Sequence, residues 1–221
     1  DVKFANITGS GNISASGNLS ITGNITGSSN LGANGDLYIG GNVTASGGFK
    51  ATGISLSNND AGTSNTIFGK NAGDALASGG NYNVVIGEGA GGALTTGDTS
   101  VAVGFEALLT EDTNSENTAI GYQALKTQNG ADGNTAVGMR AGLDLTTGAS
   151  NTFVGAETAA NVTTGADNVM MGKAAGVNTQ TTSGSVLLGR SAGRDISTGN
   201  ENIAIGKEAM FDGTVTGDNN I

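Results

Sequence analysis

The chain contains neither histidine nor cysteine, so proton transfer and nucleophilic attack would fall to carboxylates, lysines, serines, threonines and tyrosines. The usual nucleophile and base pairs cannot be assembled from that set. Paired carboxylates can cleave glycosides, and a groove between chains could hold such a pair. Here no carboxylate recurs at a fixed position, and no tryptophan is present for a sugar to stack on. The sequence reads as that of a protein that is not an enzyme.

Other local signals have simpler explanations. Gly87-Glu88-Gly89-Ala90-Gly91-Gly92 matches the G-x-G-x-x-G fingerprint of dinucleotide sites, but Ala93-Leu94-Thr95-Thr96-Gly97 follows as a turn where the fingerprint needs a helix. No cofactor is expected. The acidic clusters Glu111-Asp112 and Asp218-Asn219-Asn220 lack the alternating carboxylates of a calcium loop, and without cysteine there is no thiolate metal site, so no metal is expected. Sequons at Asn6, Asn12, Asn18, Asn24 and Asn42 fall in step with a repeat that already accounts for them. Threonine pairs such as Thr95-Thr96 and Thr163-Thr164 resemble ice-binding faces in composition, yet they lie beside turn glycines.

What governs all these residues is a period. A glycine closes an apolar run at Gly69, Gly87, Gly104, Gly121, Gly138, Gly155, Gly172, Gly189 and Gly206, one step of 18 residues and then seven of 17. Four residues before each glycine stand Asn65, Asn83, Ser100, Asn117, Asn134, Asn151, Asn168, Ser185 and Asn202. Three before it the residue is β-branched (Thr66, Val84, Val101 and so on), and directly before it comes a large apolar side chain such as Phe68, Ile86 or Val103. Alanine follows three residues after it in all units but one, where Thr158 stands. Each unit reads as turn, short strand, glycine bend and alanine-bearing second segment. Seventeen residues cannot bury a core alone, whereas one coil of a β-solenoid can if its neighbours supply ladder hydrogen bonds. Nine such coils at ~4.8 Å would extend about 43 Å.

The asparagine column has two possible uses. Stacked amides can form a row of ligand-binding groups, or can bond to one another and cap the turns, and the second use is expected here. The β-branched and large columns are expected to fill the coil interior. The middle column (Ile67, Val85, Ala102, Ala119, Ala136, Phe153, Met170, Leu187, Ala204) should then face other chains or a second layer, because a strand apolar on both faces is covered on both. The residues one and two after the glycine vary between Lys70, Glu88, Phe105, Tyr122, Arg190 and Lys207 and point to solvent.

Residues 1–54 follow a shorter rhythm. Ala5, Gly11, Gly17, Gly23, Ser29, Gly35, Gly41, Gly47 and Gly53 recur at steps of six, mostly followed by Asn or Asp and then by Ile, Leu, Val or Phe. One inward side chain per hexad is too little for a single-chain solenoid. Three chains wound together would supply a core, which predicts a triple-stranded β-helical shaft over 1–54, a β-roll over 55–221 and a homotrimer.

Composition fits an extended assembly. Of 221 residues 40 are glycine, and aromatics make up 4%. A net charge of −10 without a basic stripe argues against nucleic acid as a partner. No apolar stretch is long enough to span a bilayer, and Asp1 opens directly into hexads without a signal-peptide pattern. The last residues, Thr216 to Ile221, look like the start of another coil, so the chain is expected to be a segment of a longer protein.

Two units carry a family resemblance. Asn117-Thr118-Ala119-Ile120-Gly121-Tyr122-Gln123-Ala124-Leu125 and Asn134-Thr135-Ala136-Val137-Gly138-Met139-Arg140-Ala141-Gly142 resemble the N-T-A-[IV]-G-x-x-A repeats of tail fibres and other appendages of tailed bacteriophages, notably marine and cyanobacterial ones. They are also similar to the S-V-A-I-G repeats in the heads of trimeric autotransporter adhesins, and the hexads are similar to the G-N-[ILV]-T runs of phage shafts. The period of 17 departs from the shorter one typical of adhesin heads, and no membrane-anchor segment is present. The resemblance implies an all-β trimeric fibre in the virion, attached to other tail or baseplate proteins and presenting a tip that binds a host-cell receptor. The alternative it implies is a bacterial surface adhesin, with Phe105 and Tyr122 contributing to the sticky face. A glycan-degrading spike is a third class, and it would need an interchain carboxylate pair.

Overall fold

The computed structural model describes residues 62–196, 198–211 and 215–221. The hexads, and the triple-stranded shaft expected of them, lie outside the described residues. The chain divides into Asp1–Ala51 and Thr52–Ile221, and the second unit is a parallel β-solenoid without helices among the described residues.

Each coil contributes one strand of three residues, placed immediately before its closing glycine. The strands are β1 (Thr66–Phe68), β2 (Val84–Ile86), β3 (Val101–Val103), β4 (Thr118–Ile120), β5 (Thr135–Val137), β6 (Thr152–Val154), β7 (Val169–Met171), β8 (Val186–Leu188) and β9 (Ile203–Ile205). They form one parallel sheet in chain order, and equivalent repeat positions pair, as Thr118 with Thr135 and Ile120 with Val137. Parallel neighbours need a long return connection. The rest of each coil is that return, and it forms rungs of its own: Gly91 N donates to Ala107 O at 2.9 Å, Leu108 N to Ala124 O at 3.0 Å and Leu125 N to Ala141 O at 3.0 Å. Turns outside the sheet thus stack from coil to coil with paired backbones, which a buried loop requires.

Bending so short a coil uses left-handed backbone. At Gly138 φ is +141°, and a Cβ would lie 2.6 Å from the carbonyl carbon of Gly155 on the next coil. Only a residue without Cβ permits that approach. Two residues further on, Glu106, Gln123, Arg140 and Glu157 take φ of 51–59°, and a second left-handed column runs through Thr99, Glu116, Ser150 and Asp167 at φ of 55–61°. Gly133 and Gly184 fall in that second column.

The interior reverses one expectation. The middle column of the strands is buried inside the coil, while the β-branched and large columns on either side are half-buried or exposed. The reason is parity. Side chains alternate along a strand, and the buried asparagine two residues before the middle position faces inward, so the middle residue does too. The alanine column fills the same space, joined by a corner column of Leu94, Leu145, Val162 and Ile196.

Volumes compensate within each layer. Where the middle residue is large (Val85, Met170, Leu187), the position six residues on is Gly91, Gly176 or Gly193; where it is Ala102 or Ala119, that position is Leu108 or Leu125. A Cβ on Gly193 would come within 2.6 Å of Leu187 Cδ2. Ala136 and Gly142 are both small, and the Phe153 ring of the next coil fills the gap, lying 2.9 Å from where a Gly142 Cβ would be. The core is filled at constant volume with different side chains, as close packing demands.

Candidate functional surface: the outer strand face and the asparagine ladder

The asparagine column is buried and its amides are bonded. Asn134 shows the pattern: its Nδ2 donates to Gly148 O at 2.9 Å, and its Oδ1 accepts from Asn151 N at 2.9 Å and Asn151 Nδ2 at 3.1 Å. Asn65, Asn83, Asn117, Asn151 and Asn168 likewise donate to a turn carbonyl 14 or 15 residues ahead, at 2.7–2.9 Å. Ser100 and Ser185 keep half of the function, since their hydroxyls accept from Asn117 N at 3.2 Å and Asn202 N at 3.0 Å. At the last coil Asn220 Nδ2 donates to Gly217 O at 2.7 Å, and Asn202 Nδ2 is left without a partner. These side chains tie strand starts to turns and leave no amide row open to a ligand.

The outer face of the sheet is different. Its two outward columns are Thr66, Val84, Val101, Thr118, Thr135, Thr152, Val169, Val186 and Ile203, and Phe68, Ile86, Val103, Ile120, Val137, Val154, Met171, Leu188 and Ile205. None of these residues is fully buried, and Phe68, Ile120, Val169, Met171, Ile203 and Ile205 are exposed. Eight inter-strand steps of ~4.8 Å make this an apolar strip about 38 Å long. Fourteen of its eighteen side chains are apolar, the other four being Thr66, Thr118, Thr135 and Thr152.

Beyond the glycine bend, Phe105 and Tyr122 stack with centroids 5.4 Å apart and planes 12° apart, and the Arg140 guanidinium lies 6.0 Å from the Tyr122 ring centre. The rings are 40% and 44% exposed. Next to them Lys126 Nζ pairs with Glu106 at 2.7 Å and Gln123 Nε2 donates to Glu106 at 2.8 Å; these bonds hold the Glu106 carboxyl below its ordinary range.

The remaining sequence signals are absorbed by the coil. The segment Gly87 to Gly92 leaves β2 through a turn in which Ala90 is buried, and a groove of about 370 Å³ beside it is lined by Asp74, Glu88 and Glu106, carboxylates that repel a phosphate. The Thr95 hydroxyl is bonded to Asp112 of the following coil, and those of Thr146 and Thr163 donate to carbonyls of the following coil. Among the described residues no group of three acidic side chains is placed to hold a metal, and no helix is long and apolar enough to cross a membrane. Two features were not read from the sequence: the left-handed columns and the burial of Glu111 and Gln128. Glycine standing in the same repeat columns signals the first; the second needs the stacked coils.

No protein-family model, curated protein or solved structure matches the chain.

Proposed function

We propose that this chain is a structural segment of a homotrimeric virion fibre, a tail fibre whose tip meets a host receptor. The observation that carries the reading is the outer strand face: an apolar strip along nine strands, left uncovered by a chain whose coil interior is already full. Three copies related by a threefold axis would cover it with the same columns on every chain. The sequence rhythm of the hexads, one large apolar residue in six, calls for the same arrangement.

Light scattering tests the assembly. The expected mass is three times the 21.5 kDa of one chain. Val137→Lys on the outer face should lower the thermal midpoint of the trimer, because it sets three like charges around the axis. A wild-type chain that is folded at single-chain mass refutes the reading. Gold-labelled antibodies against the segment, followed by electron microscopy, decide between a virion appendage and a cell surface.

The exposed stack of Phe105 and Tyr122 favours a second reading, a bacterial trimeric adhesin whose roll surface itself binds cells or matrix. In that case Phe105→Ser with Tyr122→Ser would abolish binding to cells. A virion spacer would be indifferent to the change.

A further inference from the structure

Glu111 stands in the corner column of the interior, where neighbouring coils carry Leu94, Gln128, Leu145, Val162, Thr179 and Ile196, all fully buried. Thr179 is satisfied, its hydroxyl donating to Gly176 O at 2.7 Å. Glu111 and Gln128, on the successive coils of β3 and β4, each keep one buried oxygen without a partner, Glu111 Oε2 and Gln128 Oε1.

The donors nearby are engaged except for the second N–H of the Gln128 amide. Glu111 Oε1 accepts from Asp112 N and Asn114 N, each at 3.1 Å, and from the Asn114 amide at 3.1 Å once that amide is turned to satisfy both its atoms. Gln128 Nε2 donates to Ala131 O at 2.6 Å. Turning the Gln128 amide over would set its oxygen against that carbonyl, so Oε1 stays the free atom. Gln128 holds the same corner position one coil on, so its side chain stacks on that of Glu111 with both free oxygens buried between them.

We propose that Glu111 is held as a neutral acid in the folded protein and donates its Oε2 proton to Gln128 Oε1, a clasp between the coils of β3 and β4 that loosens as pH rises. A neutral carboxyl has one accepting oxygen and one donating hydroxyl. The site has the same asymmetry, with three donors on one oxygen and none on the other. An ionised carboxylate would leave half its charge buried and unpaired. Burial pushes the group upward and the charge of Asp132 on the following coil adds to this, while the Asn114 and Asp112 amides, and the second Gln128 N–H were it turned to an ionised carboxylate, pull the other way. Asp112 is engaged through Oδ1 by the Thr95 hydroxyl, and Lys126 is turned to Glu106. The clasp lies within one chain and stands whether or not the chain is a fibre.

The folded chain then holds this proton more tightly than the unfolded chain, whose glutamates titrate at about 4.3. The contribution to stability is complete below the unfolded value and is lost as pH rises through the folded one. Two measurements on the intact chain test this: a carbon-13 titration of the glutamate carboxyls, and urea unfolding at pH 5 and pH 8. The Glu111 carbon should keep its protonated shift after the exposed glutamates have ionised. The wild-type urea midpoint should fall between the two pH values, and the fall should be absent in Glu111→Gln, which copies the neutral acid. The double variant Glu111→Leu with Gln128→Leu, giving these coils the residue found at Leu94 and Leu145, should also lack the fall, and it serves if the single variant does not fold. A Glu111 that titrates at or below the ordinary glutamate value overturns the proposal, as an ionised carboxylate bridged to Gln128 by water would. So does an undiminished midpoint shift in both variants.

Discussion

Asn134→Ala tests the physical basis of the coil stack. The side chain serves two buried backbone groups, the carbonyl of Gly148 at 2.9 Å and the N–H of Asn151 at 2.9 Å, and no other hydrogen bond to either is present. Alanine removes both partners. A buried group left unpaired costs about 1–3 kcal/mol, so the two together cost about 2–6 kcal/mol. Serine provides a graded control that the chain already uses. Ser100 and Ser185 accept the next coil's N–H but leave the turn carbonyl unserved by their side chains, so Asn134→Ser should cost about 1–3 kcal/mol, roughly half as much. Urea unfolding followed by far-ultraviolet dichroism suits a chain without tryptophan. Because the defect falls in a central coil, the alanine variant should also unfold less cooperatively, the two flanking blocks losing their coupling. An alanine penalty at the level of an ordinary surface change, about 0.5 kcal/mol, would refute the ladder argument. Equal penalties for serine and alanine would refute the assignment of two separate bonds.

Two further substitutions probe the bend and the core. Gly138→Ala puts a Cβ 2.6 Å from the Gly155 carbonyl carbon at φ +141° and should cost about 3 kcal/mol or more. Gly206→Ala, at φ +121° with nothing among the described residues within 4 Å, should cost only the backbone strain, and thermal unfolding of the pair separates clash from strain. Leu187→Ala leaves a cavity worth about 2–5 kcal/mol and Gly193→Leu overpacks its layer, but the double variant recreates the pairing of Ala119 with Leu125. A double-mutant cycle should show favourable coupling above about 1 kcal/mol, whereas strictly additive losses would show that the layers do not compensate.

Much of the architecture was legible because every coil meets the same environment. Glycine at one position and asparagine four residues earlier mark where a bend and a buried amide recur, and the observed strands end immediately before those glycines. The turns in β-solenoid coils were legible from Thr146-Thr147-Gly148 and similar triplets for the same reason. The left-handed residues Glu106, Gln123, Arg140 and Leu125 carry no side-chain signature of that conformation, and only the glycines that share their columns, Gly89 and Gly142, signal it. The stacked backbone bonds around the coil impose it on them. The burial of Glu111 was not legible, because acid type and turn context say nothing about which corner of a coil points inward.

The sequence by itself determined that one unit of 17 residues is stacked in parallel register, since nothing else explains a glycine and a β-branched residue recurring through nine units with asparagine in seven of them. Only the tertiary structure decided which face of each strand lies inside. Both faces are apolar, so hydrophobicity could not choose between them. The choice falls to the asparagine, whose two backbone partners lie within the stack of coils: once its amide turns inward to meet them, alternation carries the middle residue inside and leaves Val137 and its equivalents on the outer face.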